Sequence, residues 1–455
     1  MATLEYPFLI YWSFLLVSYL YSSESSHALN TSKVQYTEHK CNTNTSLSPD
    51  SVCRPAGHDS TSNRTTDQVD KTSYETKLIN EAAVTTTLTL PVTFGVGKPS
   101  DTDKYAVVFG LGSPKQQLSL LFNTFTNLMW TRCTDKTLEA VRLTLYFNSN
   151  ASSSYRTVPC ESCNIYNLPP KKRGCLDRTC VYNGPYDDYQ SSVPSSGLLS
   201  FDRLNLTDHE VSDFIFVCVP YDPPPDSIRS DAGLLGLGRG DLSFISQVGP
   251  MYNNYFHYCL PSSSRYQGYL TFGKNKDNNN NDLKFTPSFI RADYPSYYFI
   301  NIISISVGSI ELKMDYSKVF LNRGIAVDPG VSITRLPAEA YAALRDEFRN
   351  QTGGSHMMWV PRGILDTCYD TSSSSIKSPT ISFTFEDEVK VDFNGPQIFE
   401  DYRFTTVKCL AFSNNTNPPS VSILGNTQQK TMEVGYDDLD AAGGGRLGFR
   451  PNACK

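Results

Sequence analysis

The segment from Gly324 to Pro337, GIAVDPGVSITRLP, constrains this chain more than any other. Three apolar residues, Ile325, Ala326 and Val327, deliver a carboxylate, Asp328, onto a Pro-Gly turn. A second apolar, strand-like run then leads into a helix start. A carboxylate at the end of a buried strand is costly to desolvate, and such placements serve chemistry or cap a helix. About two hundred residues earlier the layout recurs: Leu118 to Trp130 reads LSLLFNTFTNLMW, with Asn123 in the place of the acid. About a hundred residues after each turn comes apolar-apolar-Gly, Leu234-Leu235-Gly236 in the first half and Ile423-Leu424-Gly425 in the second. A glycine there lets another backbone pass closely. This internal duplication predicts two similar β lobes whose turns meet at a shared cleft.

The pattern between these landmarks is almost all strand. Thr87–Phe94 alternates apolar with Thr or Pro, as a half-buried strand does. Further strand runs are Tyr105–Leu111, Gln117–Phe122, Val211–Val219, Tyr269–Phe272, Tyr298–Val307, Thr380–Phe385, Val389–Phe393 and Thr431–Tyr436. One clear helix is expected from Ala338 to about Arg349, where Leu336, Ala340, Tyr341, Leu344 and Phe348 share a face behind Pro337. A shorter one is expected over Leu242–Val248, with Asp241 as its N-cap. Asp277–Asp282, Pro223–Pro225 and Ser372–Ser375 read as connectors.

The N-terminus is apolar from Pro7 to Tyr21, shorter than the roughly 20 residues a membrane span takes, and Ser26-His27-Ala28 offers a small-x-small cleavage site. This predicts a secretory signal peptide, followed from Leu29 to about Lys77 by a polar leader in which Cys41 and Cys53 are close enough to pair. Twelve cysteines fit an exported protein. The cluster Cys160, Cys163, Cys175 and Cys180 then reads as two local disulfides rather than a zinc site. Seven Asn-x-Ser/Thr sites, at Asn30, Asn44, Asn63, Asn150, Asn205, Asn350 and Asn414, agree with passage through the secretory pathway. A net charge of -6 provides no field for nucleic acid or an anionic membrane. With six histidines and no His-Glu-x-x-His, a catalytic metal has no ligand set, and no cofactor is expected. Gly236-x-Gly238-x-Gly240 lacks the strand-helix-strand unit of a nucleotide loop, Arg239-Gly240-Asp241 is a chance tripeptide, and no Gly-x-Ser-x-Gly elbow marks a serine hydrolase.

From Tyr105 to the end, the chain resembles the pepsin-type aspartic proteases, in particular their plant nepenthesin-like branch. The phrases that carry the resemblance are YAVVFGLGSPKQQ, SDAGLLGLGRGDLSFISQ, FHYCL, LDTCYD, the Asp328 segment through LPAEAYAALRDEF, CLAF, and SILGNTQQKTMEVGYD followed by LGFRPNAC. The resemblance implies an all-β, bilobal fold with two β-barrel-like lobes, a central cleft and few short helices. It also implies one catalytic aspartate per lobe. Two carboxylates are needed because they share one proton: the ionised one takes a proton from water and the protonated one polarises the peptide carbonyl.

Here the sequence departs from the family pattern. The first turn is Asn123-Thr124-Phe125-Thr126 where the family has Asp-Thr-Gly-Ser, and the second is Asp328-Pro329-Gly330-Val331 where it has Asp-Ser-Gly-Thr. An amide neither takes the proton nor holds the charge. Phe125 replaces a glycine, which predicts strain or a reshaped turn. Pro329 and Val331 remove two hydroxyls, while Thr124 and Thr126 keep theirs. Tyr186 stands at the flap position, without the following glycine, and Cys133 stands alone where the branch carries a cysteine cluster. The expected organisation is a signal peptide over 1–28, a leader over 29–100, an N-terminal lobe over 101–288 and a C-terminal lobe over 289–455. Expected site residues are Asp328 and Asn123 at the catalytic positions, with Tyr186, Thr124, Thr126 and Gly330 facing substrate. The expected function is that of a secreted, monomeric aspartic-endopeptidase homologue of the apoplast or cell wall, catalytically impaired, that holds a peptide or protein in its cleft. It binds neither nucleic acid nor, once the signal is removed, membrane. The alternatives are an active acid endopeptidase using Asp328 and a glycosidase-inhibitor-like protein on the same scaffold.

Overall fold

The computed structural model describes Thr87 to Lys455, apart from residues 96–103, 135–143, 167, 169, 184–195, 207–208, 221–230, 275–281, 354–356, 359–362, 374, 402–404, 416–420 and 438–443. The signal peptide, residues 29–86 of the leader with Cys41 and Cys53, the first three Asn-x-Ser/Thr sites, Pro223–Pro225 and Tyr186 lie outside the described residues. Strand is the dominant structure, with few and short helices.

The duplication read from the sequence is present in the strand pairing. In the first half, strand Gln116–Asn123 runs into the Asn123 turn and returns as Trp130–Thr134. Between them lies Gly233–Gly236, parallel to the incoming strand and antiparallel to the outgoing one. Glu210–Pro220 flanks the outgoing strand in parallel. In the second half, Ile325–Val327 and Thr334–Leu336 take the same two roles. Ile423–Leu424 lies between them with the same two senses, and Phe412–Asn414 flanks in parallel. The glycines that close each inserted strand are there for space. A Cβ on Gly236 would sit 2.3 Å from Leu128 O, and one on Gly425 would sit 2.6 Å from Ser332 O.

The halves are joined by a six-stranded antiparallel ladder. Its order is Leu88–Phe94, Gly268–Phe272, Tyr255–Cys259, Glu433–Asp437, Arg446–Arg450 and Lys284–Arg291. Three strands come from each half. Its apolar side chains, including Phe256, Tyr258, Val434 and Tyr436, belong to the main hydrophobic core, which runs through both halves without a break. The expected helix spans Ala338–Thr352 and buries Ala340, Tyr341, Leu344 and Phe348, as its spacing implied.

Two readings are corrected. The apolar run expected as one strand over Tyr298–Val307 is two, Tyr294–Ile300 and Ile302–Val307, because its two parts serve different sheets. The first pairs with Lys284–Arg291 and Ile325–Val327, the second with Ile381–Phe385. The short helix is Phe244–Val248, and its N-cap is Ser243, whose hydroxyl accepts the Ser246 N–H at 3.2 Å, rather than Asp241. Cys133, the single cysteine where the branch carries a cluster, is bonded to Cys218, 85 residues on, across two adjacent parallel strands. The cysteine cluster does form two local disulfides, Cys160–Cys175 and Cys163–Cys180, and Cys259–Cys454 and Cys368–Cys409 complete the described set.

Candidate active site

Both turns end buried strands, and the structure brings them together. Thr124 donates its backbone N–H to Asp328 Oδ1 at 2.8 Å, and its hydroxyl lies 2.7 Å from the Val327 carbonyl and 3.1 Å from Asp328 Oδ1. One threonine of the first half thus clasps the end of the strand that carries the acid of the second. The matching position across the duplication is Pro329, which has no hydroxyl to return the contact. Its carbonyl is instead bound by Asn426 Nδ2 at 2.8 Å.

Asn123 lies against the same place. A Cβ on Gly330 would sit 2.6 Å from Asn123 Cβ and 3.2 Å from Asp328 Oδ2, so the two side chains converge on the Gly330 backbone. Gly330 is therefore required by close approach, not by a left-handed φ. Asn123 Oδ1 accepts the Thr126 N–H at 3.0 Å, and the carbonyl of Asn123 accepts the N–H of Leu237 at 2.8 Å. Asn123, Thr124, Thr126, Asp328 and Gly330 thus lie close together, and of the expected site residues Tyr186 is left without a described position.

Phe125 departs from the strain its replacement of glycine implied. It is not among the residues with positive φ, and its ring leaves the turn sideways to stack on Tyr297, with centroids 3.8 Å apart and planes 6° from parallel. It belongs to a small cluster with Tyr297, Phe299, Ala326, Val421 and Ile423, all but itself from the second half. The bulk that a glycine-type turn would exclude is absorbed by an aromatic slot beside it. The asparagine that follows the turn adds a polar tie: Asn127 Nδ2 donates to Ser296 Oγ, while its Oδ1 accepts the Gly240 N–H at 2.8 Å.

Beneath the pair lies a hydrogen-bonded layer to which the sequence reading assigned no role. Tyr436 OH donates to the Val327 carbonyl at 3.1 Å and lies 3.2 Å from Tyr258 OH, which in turn donates to Gln429 Oε1 at 2.5 Å. Gln429 Nε2 donates to the carbonyls of Asp328 and Leu424. Burial, followed by its tyrosine partner, pushes the Tyr258 hydroxyl well above its ordinary range; burial does the same for Tyr436, and Asp328 adds to both. Both phenols therefore remain neutral donors. Each of these residues sits in a phrase that carried the family resemblance (FHYCL, ILGNTQQ, VGYD), and that was the signal available. Among the described residues no group of His, Cys, Asp or Glu is placed to hold a metal.

Two strand–turn–strand units related by duplication, clasped across their turns and joined by a shared sheet, define a pepsin-type bilobal fold. The chain matches two family models, described as xylanase inhibitor N-terminal over residues 105–274 and xylanase inhibitor C-terminal over residues 297–451. It is 38% identical over 369 residues to an aspartyl protease family protein of Arabidopsis thaliana, covering 79% of this chain and 74% of that one. It is 29% identical to aspartic proteinase nepenthesin-1 of Nepenthes gracilis, covering 73% and 75%. Among solved structures, conglutin gamma, a basic 7S globulin of lupine seeds, superimposes with a TM-score of 0.60 at 20% identity over 80% of this chain and 94% of that one. The chain belongs to the plant pepsin-like aspartic protease family.

Proposed function

We propose that this protein is a secreted aspartic-protease scaffold, impaired in peptide hydrolysis, that holds a peptide or protein in the cleft between lobes spanning 101–288 and 289–455. One observation carries the reading: the partner of Asp328 is a neutral amide whose oxygen is already tied to the Thr126 N–H. General acid–base hydrolysis needs one group to take a proton from water while another gives one to the carbonyl. Asp328 can do one of these, and Asn123 can do neither. Pro329 and Val331 remove two more hydrogen-bonding groups from the site. Tyr186 serves as the flap residue, and the cysteine content, leader and glycosylation sites support export as a monomeric glycoprotein to the apoplast or cell wall.

The test is acid proteolysis of denatured globin from about pH 3 to pH 6, with and without pepstatin, a range chosen around the titration of a paired dyad. The protein is expected to release no acid-soluble peptides above an Asp328→Ala control. Asn123→Asp is expected to raise release by about a hundredfold over that control, the contribution of one restored acid–base group. Pepstatin-sensitive cleavage by the unaltered chain that vanishes in Asp328→Ala would instead establish an endopeptidase working from Asp328. A second reading, a glycosidase-inhibitor-like protein, is favoured by the xylanase-inhibitor descriptions of both matching family models. Inhibition of a purified xylanase by the unaltered chain and by Asp328→Ala alike would support it and place that activity outside the cleft.

A further inference from the structure

Residues 160–180 form a knuckle that is cross-linked twice. Cys160–Tyr166 and Pro170–Lys172 are short 3-10 turns, and Arg173–Leu176 and Thr179–Asn183 pair as a hairpin. The bonds Cys160–Cys175 and Cys163–Cys180 tie the first turn to that hairpin. On the inner side, Cys163, Leu168 and Cys180 share a cluster with Leu128 and Trp130, just past the Asn123 turn. Two cross-links therefore order a segment that has little core of its own. The outer side differs from the surface around it. Exposed cations elsewhere, at Arg156, Arg203, Lys318, Lys390 and Lys408, each meet an aspartate or glutamate. Among the described residues, Lys171, Arg173 and Arg178 meet none, and Lys172 lies over the Tyr182 ring. On the same knuckle, Ile165 and Leu176 are 66% and 58% exposed. The hairpin turns on Asp177-Arg178, at φ 45° and 64°. Two left-handed residues in such a turn are ordinarily Asp-Gly, so Arg178 stands in the place of the glycine. The turn gives up conformational ease to carry a cation at its tip.

We propose that this knuckle is a docking surface for an acidic polypeptide segment that carries apolar side chains between its carboxylates. The surface is separate from the paired turns, so the proposal goes beyond the cleft-binding reading and does not depend on it. Charge complementarity identifies the partner. Four basic and two acidic residues lie within 160–180, in a chain whose net charge is -6. The two arginines offer planar forks that suit carboxylates. Cations alone would serve any polyanion. The bare Ile165 and Leu176 beside them narrow the choice, because exposed aliphatic side chains rimmed by charge mark contacts with protein. A polypeptide brings both kinds of group, whereas an acidic polysaccharide brings carboxylates without aliphatic side chains. The cross-links hold the surface ready, which lowers the ordering cost of binding.

The experiment is fluorescence anisotropy of labelled polymers with the purified chain at about pH 7, where carboxylates are ionised. The probes are a random copolymer of glutamate and tyrosine, polyglutamate and polygalacturonate. Salt is raised from about 20 mM to about 200 mM, which shortens the screening length roughly threefold. The copolymer is expected to bind about fivefold more tightly than either purely acidic polymer, and to weaken by about tenfold across the salt range. Arg173→Glu with Arg178→Glu is expected to weaken copolymer binding by at least about tenfold. Leu176→Ser is expected to weaken the copolymer by about fivefold and to leave polyglutamate unchanged, a split that a general loss of structure would not produce. Excess pepstatin is expected to displace nothing. Equal binding of polygalacturonate and the copolymer overturns the proposal and makes the knuckle a general polyanion site. Displacement by pepstatin overturns it by placing the binding in the cleft. Absence of copolymer binding, or full binding by the double arginine variant, overturns it outright. Should that variant not fold, Lys171→Glu and Leu176→Ser, both at exposed positions, decide the matter.

Discussion

The two turns have the same scaffold and opposite chemistry. Each ends a buried strand, each is straddled by an inserted strand closing in glycine, and each lies over the same sheet. The second keeps its acid and its glycine but has lost its hydroxyls. The first has lost its acid and its glycine but keeps its hydroxyls. What remains is complementary: Thr124 of the first turn holds Asp328 of the second, and Phe125 of the first fills a slot built by the second. The comparison teaches that a duplicated site can lose its symmetry while its architecture stays intact, because backbone pairing and side-chain chemistry are specified by different residues.

The sharpest way to break that complementarity is to empty the slot. Phe125→Ala removes the ring from Tyr297, Phe299 and Ile423 and is expected to cost about 3–4 kcal/mol, read from the urea midpoint at unchanged slope. A loss below about 1 kcal/mol would show that the stacking does not support the turn.

A test that belongs to neither turn sets the scale. Glu433, in the shared ladder, meets His257 Nδ1 at 2.6 Å and Tyr269 OH at 2.9 Å, and accepts from Arg450. Burial pushes its carboxyl up, but the hydrogen bond and charge of His257, with the contributions of Arg450 and Tyr269, outweigh it and hold the group down to about 2. Because the folded value lies below the unfolded one, this contribution is complete above about pH 4.5 and is lost as pH falls toward 2. Glu433→Gln should therefore flatten the acid limb of the stability profile over that window by about 3 kcal/mol, measured by denaturant titration at each pH. Parallel limbs for the two proteins would remove Glu433 from the account of acid stability.

The smallest effect is expected at the clasp. Thr124→Val keeps the volume and deletes the hydroxyl between Val327 O and Asp328, at a cost of about 2 kcal/mol. The carbonyl keeps Tyr436 as a donor, which limits the loss. A cost equal to that of Phe125→Ala would mean that the hydroxyl, rather than the aromatic fill, holds the turns together.

The fold was legible because it rests on patterns that sequence displays directly. The acid at the strand end, the repeated apolar-apolar-Gly and the alternation from Leu88 to Phe94 each specify backbone placement, and the strands around the two turns followed; the joining ladder was not read, because it pairs strands far apart in the chain. Asn123, Thr124 and Asp328 were legible as a constellation for the same reason. The sideways escape of Phe125 was not, since it depends on Tyr297 and Val421, which lie far along the chain. The Cys133–Cys218 bond was hidden similarly, because parallel neighbours join residues distant in sequence. The Tyr258–Tyr436–Gln429 layer was present only as unexplained letters in recognised phrases, since a buried phenol's role is set by what it faces.

The ladder that joins the halves also fixes when the protein can be finished. The Tyr255–Cys259 strand takes one of its neighbours from Glu433–Asp437, and the bond from Cys259 closes on Cys454, a sequence separation of 195. During synthesis the first half must wait with an open hydrogen-bonding edge until nearly all of the second has emerged, on the order of ten seconds or more at usual elongation rates. An edge left open for that long is an invitation to pair with the wrong chain. The nascent first half is thus a natural client for chaperones, and a chain cut short before Glu433 would yield an aggregating product rather than half a protein.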